Sequence, residues 1–192
     1  TAKPPSYQRA FWLAEAEWLY AEMLVYQGLD AAAAALERAW ALCVKVRDVF
    51  SQREIHSLRG EVALRAGDAA RAVGHFQDSF TMLQKSGMGG RDVLEVRGGL
   101  ARAYALLGRA DEARWMIAEG VNDIDAAEAY LTLGERDKAG ERAIAAYKWA
   151  WADGEPYVFR WYLERAKTVL AALGIPVPDM PPFDPDKVEP IP

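Results

Sequence analysis

The 192-residue chain is poor in the residue types that build most specialised sites. It has one cysteine, Cys43, so no internal disulfide can form, which fits a reducing compartment such as the cytoplasm. From Ser6 to Leu173 the only proline is Pro156, so the strongest helix breaker is missing from the body of the chain. No stretch approaches the ~20 unbroken apolar residues of a membrane helix, and no signal-peptide pattern opens the sequence. Positive charge is neither abundant nor clustered. Lys and Arg number 23 against 28 Asp and Glu, a net charge of −5, which argues against a nucleic-acid partner and against an anionic membrane surface. The first residue is Thr1 rather than methionine, and the chain is expected to be a piece of a longer protein.

What the chain does contain is apolar and alanine-rich. Hydrophobic residues make up 52% and charged residues 27%, a composition that folds rather than staying disordered. Its punctuation is regular: Gly28-Leu29-Asp30, Gly67-Asp68, Gly108-Arg109-Ala110-Asp111 and Gly134-Glu135-Arg136-Asp137. Glycine closes a helix cheaply in the left-handed region, and an Asp just after it is expected to cap the next helix. The flanks carry helical stripes. Tyr7, Phe11, Ala14, Trp18, Ala21 and Val25 recur at steps of four and three, as do Ala72, Phe76, Phe80 and Leu83, and Val93, Val96, Leu100, Ala103 and Leu107. The pattern predicts nine helices over 6–27, 30–49, 52–66, 68–86, 91–107, 109–119, 123–133, 135–152 and 156–173. Turn glycines 39, 41 and 26 residues apart mark a stacked repeat array with one shortened pair. A helical repeat domain over 1–173 is therefore expected, followed by a tail over 174–192 that holds seven of the ten prolines. That tail reads either as a frayed acidic terminus or as an extended strap anchored by Ile175, Val177, Met180 and Phe183.

The helix pairs resemble tetratricopeptide repeats. Small residues stand seven before each turn glycine, at Ala21, Gly60, Ala101 and Ala127, and alanines stand five after it, at Ala33, Ala72, Ala113 and Ala139. Small side chains at these crossings let two helices approach closely. A large residue four before the glycine is present as Leu24, Tyr104 and Tyr130, with Ala63 in its place in the second pair. The resemblance covers about residues 10–150 and implies an all-α fold of antiparallel helix-turn-helix repeats stacked in a right-handed superhelix. The segment Ala150-Trp151-Ala152-Asp153-Gly154-Glu155-Pro156-Tyr157, with Leu170-Ala171-Ala172-Leu173-Gly174, is similar to the C-terminal repeat region of bacterial STAND-type signalling ATPases. This implies a sensor or autoinhibitory role for this region. The Gly-x-x-x-x-Gly-Lys-Ser/Thr loop of such an ATPase is not in this sequence.

No catalytic constellation, cofactor motif or metal motif stands out. His56 and His75 lie on different predicted helices, 19 residues apart and without Cys or His at ligand spacing, so both are expected to be structural or surface residues. Cys43 among Leu42, Val44 and Val46 is expected to be a buried, inert thiol. Asp123 and Asp125 beside Asn122 lack the glycine and bidentate Glu of a calcium loop and are expected to cap a helix. No serine sits in a nucleophile elbow.

In a tetratricopeptide stack the first helix of each pair lines the groove. The resemblance places Glu15, Trp18, Glu22, Val25 and Tyr26 there from the first pair, and Glu54, Ser57, Glu61, Leu64 and Arg65 from the second. Glu95, Gly98, Arg102, Ala105 and Leu106 follow from the third, and Val121, Ile124, Glu128, Leu131 and Thr132 from the fourth. Six glutamates against two arginines would favour a basic or amphipathic protein or peptide segment, anchored by Trp18 and Tyr26. The same glutamates would serve equally as helix formers on a wet face. A second candidate lies at 147–162, where Tyr147, Trp149, Trp151, Tyr157, Phe159, Trp161 and Tyr162 suit either a peptide or small-ligand pocket or a terminal core. An excised array could also pair with itself through an uncovered apolar face, so a homodimer is a further expectation.

Overall fold

The computed structural model describes residues 5–28, 30–87 and 90–187. Among these the chain forms nine α-helices and one short 3-10 turn, with no strand. The helices are α1 (Pro5–Gln27), α2 (Ala32–Val46), α3 (Val49–Arg65), α4 (Ala69–Ser86), α5 (Arg91–Leu106), α6 (Ala110–Ala118), α7 (Asp123–Thr132), α8 (Arg136–Trp151) and α9 (Arg160–Leu173). The all-α, repeat-like arrangement expected from the glycine spacing is the one observed. None of these helices is long and apolar enough to cross a membrane.

Two boundaries depart from the reading of the sequence. The turn between α2 and α3 lies at Arg47-Asp48 rather than near 50, because Arg47 takes the left-handed conformation (φ 55°) and Asp48 turns the chain into α3. Helix α9 starts at Arg160 instead of 156. Residues 152–159 form a turn through a cis Glu155–Pro156 bond, with Ala152 and Gly154 at φ 49° and 93°. The expected glycine turns are present, with Gly28, Gly67, Gly108 and Gly134 all at φ between 70° and 77°. Capping is less uniform than expected. Asp68 accepts from Arg71 N at 3.0 Å and Asp48 from Ser51 N at 3.2 Å. Asp30 does not cap α2, whose first turn begins after Ala31. Asp111, Asp123, Asp125 and Asp137 stand inside first turns rather than at the N-cap positions, which are Arg109, Asn122 and Glu135, and their charge faces the positive helix end.

The chain packs as two compact units, Thr1–Val121 and Asn122–Pro192, a division that the repeat spacing did not mark. In the first, α1–α2, α3–α4 and α5–α6 are hairpins, and short connections make the paired helices antiparallel. Helix α1 packs on α2 and α3 through Ala14, Ala21, Leu24, Val25, Ala35, Leu36, Ala39, Cys43, Ile55 and Leu58, all buried. Alanine at the crossings brings the helix axes close. The tightest place is the centre of the unit. The fully buried Phe76 ring of α4 fills the space above Gly60 of α3 and Gly99 of α5. A β-carbon built on Gly60 would lie 2.6 Å from that ring, and one on Gly99 would lie 2.4 Å from it.

The second unit packs α7, α8 and α9 around Ile124, Ala127, Ala143, Ala146, Tyr147, Leu163, Ala166 and Leu170. Its described tail, up to 187, is a strap rather than a frayed end. Ile175 and Met180 join the core, and Ile175 Cδ1 occupies the space that a β-carbon on Gly140 would need. Trp151 Nε1 donates to Pro181 O at 2.7 Å, and Phe183 packs edge-on to Tyr157 at 4.7 Å. Val177, expected as an anchor, is 49% exposed instead, while Ile175 and Pro178, three apart as on a polyproline turn, are half-buried. Residues 188–192 of the expected tail lie outside the described residues.

Two glycine substitutions of opposite sign test the Phe76 wedge. Gly99→Ala should destabilise the chain by about 1–3 kcal/mol, since the fully buried ring also lies against Gly60 and has little room to retreat. Gly74→Ala, on the open side of the same α4 and with nothing within 4 Å, should stabilise it by about 0.5–1 kcal/mol. Thermal melts of the two variants in one buffer read the sign directly.

Candidate functional site

In the first unit, α1 touches α3 and α3 touches α5, whereas α2 with α4 and α4 with α6 make no comparable contact. The row α1–α3–α5 is thus the shorter, inner side of this unit, and it carries the residues expected to line a groove. Trp18 is half-buried and meets the Phe50 ring edge-on at 6.4 Å, while Tyr26 is 37% exposed. Glu15, Glu22, Glu54, Ser57, Glu61, Leu64 and Glu95 are half-buried, and Arg65 and Leu106 are exposed. Val25, Gly98 and Ala105 are buried between helices and line nothing.

The electrostatics differ along the row. Glu61 forms a two-point ion pair with the buried Arg102 of α5, one arm being Arg102 Nη1 to Oε2 at 3.3 Å. Arg65 donates to the carbonyl of Val25 and so closes the last turn of α1. At the other part of the row four carboxylates act on one another. Glu54 and Asp92 both pair with Arg53, whose side chain is 1% exposed and lies against the Phe50 ring. Burial pushes the Glu54 carboxyl up to about 7; Arg53 opposes the rise, and Asp92, Glu95 and Glu22 add to it. Glu22 comes from α1, Glu54 from α3, and Asp92 and Glu95 from α5, so three helices share this charge.

In the second unit Glu128 is engaged by Arg165 of α9 in a two-point pair at 2.8 and 2.7 Å, and the same guanidinium reaches the buried Asp125 at 2.7 Å. Arg165 lies beyond the repeat pattern, so the spacing alone could not supply this partner.

The aromatic run at 147–162 is divided between two tasks. Tyr147 and Trp151 stack at 6.1 Å on the core side, and Trp151 holds the strap. Trp161 lies under the Arg165 guanidinium at 5.4 Å. Trp149 and Phe159 form an exposed parallel stack at 4.8 Å, with Tyr162 edge-on at 5.3 Å. Tyr157, 58% exposed, joins Phe183 rather than this stack.

Cys43 is fully buried, and burial, reinforced by Asp48, pushes its thiol up to about 11, which makes it a core residue rather than a nucleophile. The histidines lie on different helices, as the sequence indicated, but pack against each other. His56 of α3 and His75 of α4 approach with ring centroids 6.0 Å apart, and Asp78 lies one turn beyond His75. One ligand atom from each of the three lies within 4.8 Å of the others. A signal for this was present, since His56 and Asp78 stand eleven residues either side of Gly67, and such positions meet across an antiparallel hairpin. His75 also lines a cavity of about 470 Å³ bounded by Leu36, Glu37, Arg59, Val62 and Arg71.

No protein-family model, curated protein or solved structure matches the chain.

The raised carboxyl of Glu54 sets a pH dependence. The folded state holds this proton more tightly than the unfolded chain, whose ordinary value is 4.5. Its stabilising contribution is therefore complete below 4.5 and is lost as pH rises through about 7. Glu54→Gln should remove a loss on the order of 2 kcal/mol between these limits. The check is the difference in melting temperature between the parent and the variant at pH 5 and at pH 8. An unchanged difference across that range would show that Glu54 does not titrate there.

Proposed function

We propose that the chain is a non-enzymatic protein–protein interaction and sensor module. In this reading it is the tetratricopeptide-type C-terminal repeat part of a larger bacterial signalling ATPase, working in the cytoplasm. The observation that carries the interaction reading is the meeting of Glu22, Glu54, Asp92 and Glu95 along the inner row, beside Trp18, Phe50 and Tyr26. A carboxylate held near neutrality by its neighbours and by burial marks a place where a cation would be received favourably. An adjacent half-exposed aromatic strip gives the apolar side of an amphipathic segment somewhere to lie. The partner that fits is a basic, amphipathic peptide or protein segment. The lower end of the row contributes less, since Glu61 is already neutralised by Arg102.

A second reading rests on the exposed Trp149–Phe159 stack. Two parallel rings half-open to solvent suit a peptide or small apolar ligand.

Binding of Lys-rich amphipathic peptides to the whole chain, followed at low and high salt, separates the two. On the inner row, Glu22→Lys combined with Glu95→Lys should weaken binding about tenfold or more, and added salt should weaken it in the parent. Trp149→Ala should leave that binding unchanged. Salt-insensitive binding that survives the double reversal and is lost in Trp149→Ala would move the site to the aromatic stack.

A further inference from the structure

We propose that His56, His75 and Asp78 form a binding site for a divalent transition-metal ion of the zinc class, clamping α3 to α4. The cluster is built from two helices whose spacing is set by the wedge of Phe76, the residue next to His75 on α4, so its donors are held by the core rather than by loops. His75 and Asp78, three apart, share one face of α4, and His56 faces them from α3 with Nδ1 at 3.6 Å from Asp78 Oδ2.

Two features distinguish this cluster from a chance grouping. His56 Nδ1 and His75 Nε2 are both buried and have no hydrogen-bond partner. A buried imidazole nitrogen left unpaired costs on the order of 1–3 kcal/mol, and a metal ion would satisfy it. The second feature is the setting of the two imidazoles. Burial holds both imidazoles below the ordinary histidine range; Arg59 lowers both further, while Asp78 opposes it in each case. Both surroundings therefore disfavour the imidazolium, the form that cannot bind a metal.

Two imidazoles, one carboxylate and positions left for water suit Zn²⁺ and its neighbours, rather than Ca²⁺ or Mg²⁺, which prefer oxygen throughout. Tetrahedral coordination needs donors about 3.4 Å apart, so the three must draw in from their present separation. Asp78 is the mobile member, with 64% of its side chain exposed, and rotation about its own bonds supplies the movement and the route of entry. His56 is steadied by the edge of Trp40 at 4.9 Å, and Trp40 lies under the Arg59 guanidinium at 4.7 Å. Arg59 is paired with Glu37 at 2.9 Å, which reduces its repulsion of an incoming cation; Arg71 also bears on His75.

The test uses the whole chain without a polyhistidine tag, titrated with Zn²⁺ against a chelating indicator and then with Co²⁺ for its ligand-field absorption. One ion per chain, a raised melting temperature and a Co²⁺ spectrum of low symmetry are expected. His75→Ala and Asp78→Ala should each weaken binding at least about tenfold and remove the thermal shift. Asp78→Ala keeps the test decisive, since this exposed side chain takes no part in the core. Zinc binding of unchanged strength in both variants would place the ion on surface carboxylates and overturn the proposal. So would the lack of any thermal shift in the parent chain.

Discussion

The packing of Phe76 against two glycines is the constraint on which the first unit depends. A full aromatic ring at a helix crossing normally forces the axes apart. Here the missing β-carbons of Gly60 and Gly99 absorb the ring, and α3, α4 and α5 keep close spacing with a large apolar surface buried between them. Two consequences follow from that spacing. Arg102 of α5 is brought within reach of Glu61 of α3, so a charged pair can be buried on the inner side. On the outer side, His56 and His75 are brought together, their ring centroids 6.0 Å apart.

Charge in this chain is organised by arginines that reach between helices. Arg102, Arg53 and Arg165 each sit at low exposure and each answers carboxylates from their own or neighbouring helices. A planar guanidinium suits this because it pairs in two points and tolerates burial better than an ammonium. Their effect is to divide what looks in sequence like one acidic wall. Where an arginine engages a glutamate in a two-point pair, as Arg102 does Glu61 and Arg165 does Glu128, the pair belongs to the fold. Around Arg53, the carboxylates of Glu22, Glu54, Asp92 and Glu95 act on one another, and burial pushes the Glu54 carboxyl up to about 7.

The second unit solves the same packing problem with an extended strap in place of a further helix. Gly140 admits Ile175, and the absence of a side chain at Gly154 lets the backbone at Pro182 and Phe183 lie against it. Trp151 then ties the strap down by a hydrogen bond to a proline carbonyl, which is the one backbone group proline keeps. The proline-rich composition of the tail is consistent with this. A strap without ladder bonds gives up little when its amides are removed, and loses less entropy on docking.

The order and approximate ends of the helices were legible in the sequence because they rest on local physics. Glycine in the left-handed region ends a helix, alanine-rich stripes at steps of three and four make one amphipathic, and both are written within a dozen residues. Cys43 as a core thiol followed from its apolar neighbours in the same way. What the tertiary structure alone decided were matters of pairing across helices. The sequence marks Gly60 as a small crossing residue, but not that Phe76 fills its space together with Gly99. It shows Glu61 and Glu128 at groove positions, but not that Arg102 and Arg165, 41 and 37 residues away, neutralise them. It separates His56 from His75 by 19 residues, and only the hairpin puts them in one cluster with Asp78. Local conformational preference is carried by each segment alone. The charge state and ligand-holding capacity of a side chain depend on burial and on distant neighbours, and those exist only once the helices have packed.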